Sequence, residues 1–228
     1  MLDTTTPRGA IVAAAMRLAA ERPWARVTLA DIADAAGTAL VALKGQFGSK
    51  GEILAAFTAA VDDEVLRQAA RPAPDQPARD ALFEVLMCRF DVLAPYKPAL
   101  RSIVDGAMPE PAQMRPLLVS QRWMLEAAGV SGAGAEGALK VMGLATVYAS
   151  VFRTWLADDD PGHARTMAAL DRRLRRGERT LGRLDAVCSG LMRVASAVTG
   201  RRSPRPRRQE DDGGAQAEPA APSPGPSL

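Results

Sequence analysis

Apolar positions recur with helical spacing through most of this chain. Ile11, Ala14, Ala15 and Leu18 form one stripe and predict a helix from Pro7 to about Glu21. Thr6 is placed to cap it, and Pro7 suits a first helical position, where its missing N–H would lack a partner anyway. Pro23 and Trp24 end the helix and begin a turn. Thr28-Leu-Ala-Asp31 reads as a capping box with Asp in place of Glu, and it opens a second helix with Leu29, Ile32, Ala33 and Ala36 inward. Gly37 supplies the positive φ of a tight helix-to-helix turn. A third helix is predicted over about Ala39 to Gln46, with Phe47 packed inward after it. Ser49 to Glu52 reads as a second capping box, ahead of a long helix with Ile53, Leu54, Phe57, Val61, Val65 and Leu66 inward.

The Pro-rich stretch Pro72 to Pro77 breaks the chain between a head and a body. Helices are then expected near Ala78 to Leu93, near Lys97 to Gly106 and over about Ala112 to Ala128. The turn Gly129 to Gly134 precedes another, from about Ala135 to Ala157, that is apolar almost all round and so requires covering neighbours or a partner subunit. A last helix from near Pro161 carries a narrow seam through Met167, Leu170, Leu174, Leu181, Leu184, Cys188, Leu191 and Val198, with a gap at Gly177. Beyond Gly200, Arg, Pro, Gly, Ser and acidic residues predict a disordered tail. The expected fold is all-α: a three-helix helix-turn-helix head over 1–57, a larger helical bundle over 58–199 for ligand binding and dimerisation, and a tail over 200–228.

Composition agrees with an all-helical chain, since aromatics make up only 4% of the 228 residues and strand-type runs are nearly absent. The net charge of +3 suits an acidic partner without identifying one. Cys88 and Cys188 lie in apolar helical surroundings and read as small buried hydrophobes. With His163 the only histidine, and no cysteine cluster or phosphate-cradling glycine loop, no metal, cofactor or catalytic residue is expected, and the chain reads as no enzyme. The first 23 residues lack a signal-peptide pattern and no stretch has membrane-spanning length, so a cytoplasmic protein is expected.

The segment Val27 to Ala33, followed by Ala36-Gly37, Leu43, Phe47, Ser49-Lys50 and Leu54, resembles the head of the TetR family of transcriptional regulators. The resemblance covers roughly the first 60 residues and implies double-stranded DNA as partner, with a palindromic operator read by a homodimer and an apolar small molecule as effector. It assigns phosphate contacts to Lys50 and to the cap Thr28. The reader helix departs from the family pattern: Ala39 replaces a Ser cap, Leu40 and Val41 occupy groove-facing positions, and Lys44 stands where the family has Tyr. Thr38, Lys44, Gln46 and Lys50 are left as polar DNA contacts. The head is barely basic, with Arg8, Arg17, Arg22, Arg26, Lys44 and Lys50 against Asp3, Glu21, Asp31 and Asp34. A DNA reader and a helix-turn-helix retained only as packing both stay open, the intact scaffold favouring the first.

Trp155, the Asp158 to Asp160 turn, Thr166 and Leu170-Asp-Arg-Arg173 are similar to the C-terminal segment of the lipid-binding accessory family of coenzyme Q (ubiquinone) biosynthesis. That resemblance implies a TetR-like fold binding an isoprenoid lipid without DNA. The bland reading of Asp158 to Asp160 is helix capping. The Arg-rich stretch Arg165 to Arg193 suits either a dimer with an exposed Arg rim, ranked first, or peripheral contact with an anionic membrane. Met87, Met124, Met142, Tyr148, Phe152 and Trp155 are candidates to line an apolar ligand pocket, although plain core is the commoner role for such residues.

Overall fold

The computed structural model describes residues 2–106 and 111–179, with backbone alone for 111–113, and all of these lie in one compact unit spanning 1–183. Regular structure among the described residues is entirely helical. Helix α1 (Pro7–Glu21) starts at Thr6, whose side chain accepts a hydrogen bond from the Gly9 N–H. A 3-10 turn, Trp24–Arg26, leads to α2 (Leu29–Ala35), and the reader helix α3 is Leu40–Gln46. Helix α4 runs Lys50–Gln68.

Ser49 caps α4 through the Glu52 N–H, but the expected reciprocal bond is displaced. The Glu52 carboxylate accepts from Gly48 N–H at 2.9 Å, one residue ahead of the cap. Ile53, Phe57, Val61 and Val65 recur every four residues and are buried. Leu66, expected inward, lies one residue off that row and is 39% exposed.

Helices α5 (Ala78–Leu93), α6 (Lys97–Gly106), α7 (Pro111–Ala127) and α8 (Gly134–Leu156) fall within a residue or so of their expected bounds. The last helix, α9, is described over residues 164–179. It begins a few residues after Pro161, because the Asp160 carboxylate accepts from the Ala164 N–H at 3.1 Å and fixes the first turn there. The continuation of its seam, Cys188 and the tail lie outside the described residues.

One apolar core joins all of this. Helix α1 packs on α2, α4 and α6, and α4 also packs on α5 and α7. Ile11, Trp24, Ile32, Leu43, Phe47 and Ile53 meet in the head, each 3% exposed or less. Burying side chains of this size contributes about 1.5–3 kcal/mol apiece. Helix α8 buries Val141, Leu144, Val151 and Trp155, whereas Leu139 and Met142 are 50% and 54% exposed. Within the described residues its all-round apolar surface is therefore covered on one side only.

Candidate nucleic-acid interface

The helix-turn-helix is set by short-range capping. Thr28 Oγ1 accepts from Asp31 N–H at 3.1 Å, and Asp31 Oδ2 accepts from Thr28 N–H at 2.8 Å. The Thr28 N–H and hydroxyl, both donating to this carboxylate and reinforced by Arg22 at 3.1 Å, hold it below its ordinary pKa. Gly37, at φ 64°, closes the turn, and the Thr38 N–H reaches back to Ala33 O at 3.0 Å. That conformation strains any side chain bearing a Cβ, so the turn calls for glycine.

Helix α3 stands on a narrow base. Leu43 is its one buried residue, and Phe47 plugs the core behind it. Arg8 grips its far end: the guanidinium lies 4.2 Å from the Phe47 ring centre, and Nη1 donates to the Gln46 carbonyl oxygen at 2.9 Å. Arg17 does the same for α2, donating to Ala35 O at 2.7 Å. Cations at helix C-termini complement the helix dipole, so both arginines stabilise the ends they hold.

The candidate contact residues separate into two groups. Lys44 and Gln46 are exposed on α3 beside Leu40 and Val41, which are 50% and 78% exposed. Thr28 is exposed with its hydroxyl engaged in the cap, and Thr38 is half-buried in the turn. Lys50 faces inward instead. Its ammonium donates to Trp24 O and Val27 O, each at 2.8 Å, and lies over the Trp24 ring at 4.3 Å. Partial burial lowers its pKa. One of its three N–H donors remains for anything outside.

In the body, Tyr148, Phe152 and Trp155 do come together, in a ladder with Phe90 whose ring centres are 5.4–5.6 Å apart. Met124 joins them through Arg89, whose Nη1 is 3.5 Å from its sulfur. Met87 is half-buried and Met142 sits on the surface. Beside these groups lies a polar cluster that periodicity alone did not reveal. Arg89 pairs with Asp62, Ser120 Oγ donates to Asp62 Oδ1 at 2.8 Å, and Arg89 Nε donates to Tyr148 Oη at 3.1 Å. The signal was present in the sequence: Arg89 falls on the inward row of Leu82, Leu86 and Phe90, where a charge demands a partner. A surface cleft of about 390 Å³ lies elsewhere, lined by Leu2, Met16, Arg17, Pro95, Tyr96 and Ala99 among others.

Helix α6 ties the head to the end of α8. Ser102 Oγ accepts from Trp24 N–H at 2.9 Å and donates to Arg22 O at 3.1 Å. Gly106 lies against Ala25 so closely that an added Cβ would sit 3.1 Å from its nitrogen. On the same helix Lys97 donates to Asp158 O, and Arg101 donates to Leu156 O at 2.7 Å and Asp159 Oδ1 at 2.6 Å. Asp158, 1% exposed, caps α9 by accepting from Thr166 N–H at 2.9 Å and Thr166 Oγ1 at 2.7 Å. The bland capping role of this acidic turn is thus what the geometry contains. Among the described residues there is no group of three or more His, Cys, Asp or Glu able to hold a metal, and no helix long and apolar enough to cross a membrane.

Two family models match the chain. Residues 11–57 match the bacterial regulatory proteins of the tetR family, and residues 139–180 match COQ9. Among solved structures, the chain is similar to a TetR transcriptional regulator from Nitrosomonas europaea ATCC 19718, at 25% identity over 75% of this chain and 97% of that one, with a TM-score of 0.58. It is also similar to one from Rhodococcus sp. RHA1, at 21% identity over 77% of this chain and 96% of that one, TM-score 0.56. A third, from Streptomyces coelicolor, shares 17% identity over 83% and 91%, TM-score 0.52. No curated protein matches. The chain carries a tetR-type N-terminal domain, a COQ9-type segment towards its C-terminus and a TetR-like all-helical fold.

Proposed function

We propose that this protein is a TetR-like transcriptional regulator that binds double-stranded DNA through α2 and α3. The observation that carries the reading is a reader helix exposed at every residue but Leu43, on a scaffold whose capping box, glycine turn and Phe47 plug are all in place. Such a helix enters the major groove and a single head covers one half-site, so a homodimer on a palindromic operator follows. Lys44 and Gln46 face base edges, while Thr28, Thr38 and the remaining Lys50 N–H serve phosphates. The exposed Leu139 and Met142 on α8 support a subunit contact in the body.

The effector is an apolar small molecule bound in the body near Met87, Met124, Met142, Tyr148, Phe152 and Trp155. The buried Trp155 Nε1 lacks a protein partner and supplies a donor there. Coupling requires that the effector prefer one arrangement of the head over the other. The COQ9 match over 139–180 favours a second reading, a non-enzymatic lipid-binding accessory protein of ubiquinone biosynthesis that has lost DNA binding and rests on the membrane surface. Titrating the purified full chain against its own upstream DNA across a salt series separates the two. Tight binding at low salt that weakens with salt is expected of the regulator. No binding at low salt, with isoprenoid lipid co-purifying, would sink it.

A further inference from the structure

The least expected feature of the reader helix is its apolar tip. Val41 is 78% exposed and Leu40 50%, both on the first turn of α3, the part of such a helix that meets base edges. Nothing in the core draws them inward, since Leu43 and Phe47 already fill the space beneath. Residues four apart share one face of a helix. Leu40 therefore stands on the same ridge as the exposed Lys44, and Val41 on the same ridge as Gly45. Gly45 has open space where a Cβ would be, so Val41 projects alone from its ridge and the backbone behind it can approach closely.

The cations of the head lie along α2 and α3, one of them a single turn beyond Leu40 and another at the far end of α3. Arg8 is fixed at the carbonyl end of α3, Arg17 at the carbonyl end of α2, and Lys44 rises from α3 itself. The occupant that fits is thus a polyanion with apolar points on its surface. The major groove of B-DNA meets that description at thymine, whose 5-methyl group is the apolar feature of the groove floor.

We propose that Leu40 and Val41 read thymine 5-methyl groups, so that each half-site is specified at one or two A·T pairs by apolar contact and at the neighbouring pairs by Lys44 and Gln46. This rests on the DNA-binding reading above. It turns the two residues that depart most from the family pattern into specificity determinants.

The test uses duplexes selected by the full chain at low salt from a randomised library. Each thymine is then replaced by deoxyuridine, which removes only the methyl group. One or two thymines per half-site should lose roughly fourfold in affinity on replacement, the effect of one buried methyl. At those positions the Val41→Ala or Leu40→Ala chain should no longer distinguish thymine from deoxyuridine. Equal binding of both duplexes by the natural chain at every position overturns the proposal while leaving DNA binding intact. So does a thymine preference that survives both substitutions. If Val41→Ala changes self-association in sedimentation and leaves DNA affinity alone, the tip belongs to a second copy and the proposal falls. A chain that selects no duplex at all overturns the DNA-binding reading itself.

Discussion

Lys50 and Trp24 are joined twice: the ammonium donates to the Trp24 carbonyl oxygen at 2.8 Å and sits 4.3 Å from the centre of its indole ring. A third link, to Val27 O at 2.8 Å, makes Lys50 the clasp of the 3-10 turn between α1 and α2. Lys50→Met keeps the apolar stem and strips both carbonyls of their partner. It should lower stability by about 1–3 kcal/mol in urea unfolding, as expected for charged hydrogen bonds in a partly buried site. A change within about 0.5 kcal/mol, typical of an idle surface position, would show that the clasp holds nothing.

Lys44 is exposed on the reader helix and forms no ion pair or cap among the described residues, so its effect should be seen in binding and not in folding. Lys44→Ala should flatten the slope of log affinity against log salt by about one unit if it meets a phosphate. If it meets a base edge, the slope should hold while preference at one base pair drops by about 1–3 kcal/mol. A variant with natural slope and natural preference would remove Lys44 from the interface.

Arg89 and Asp62 are 3% and 6% exposed, and each is the other's charge partner. Arg89→Met leaves the Asp62 carboxylate buried without compensation and should cost about 3–5 kcal/mol. The double variant Arg89→Met, Asp62→Leu removes both charges and should recover most of that loss. Additive losses in the four-member cycle would show that the two groups act independently.

Acid should loosen the junction of α8 and α9. The hydrogen bond from Thr166 holds the Asp158 carboxyl below the ordinary aspartate value of 3.8. As pH falls, the unfolded carboxyl takes up its proton before the folded one, and protonation then favours the unfolded chain. The stabilisation is therefore complete above about pH 4 and is lost as pH drops through the folded pKa. Thr166→Val removes the hydroxyl donor and keeps the backbone N–H. Melting temperatures recorded from pH 5 down to 2 should fall less steeply for this variant than for the natural chain. Parallel curves would refute the link.

Local chemistry made the head readable in advance. The cap at Thr28, the positive φ at Gly37 and the plug at Phe47 each depend on neighbours within a few residues, and each stands where the pattern put it. Helix bounds in the body followed for the same reason, from proline breaks and apolar periodicity. What stayed hidden was long-range. Arg8 meets Gln46 across 38 positions, Arg89 meets Asp62 across 27, and Ser102 meets Trp24 across 78. Periodicity says that Arg89 faces inward but cannot say which carboxylate waits there. Lys50 shows the opposite limit: its place after the helix cap was legible, but the direction of its side chain was decided by the carbonyls of a turn more than twenty residues away.

The ten residues of α6 fall in neither matched segment, yet they touch both. Ser102 holds the turn at Trp24, inside 11–57, while Arg101 and Lys97 hold Leu156 and Asp158, inside 139–180. The two kinships of this chain are thus bolted together by a part that neither describes. A transplant of either segment into another protein would arrive with its fasteners missing. Domain exchange in this protein should be planned around Lys97–Gly106, with that helix travelling as part of both modules.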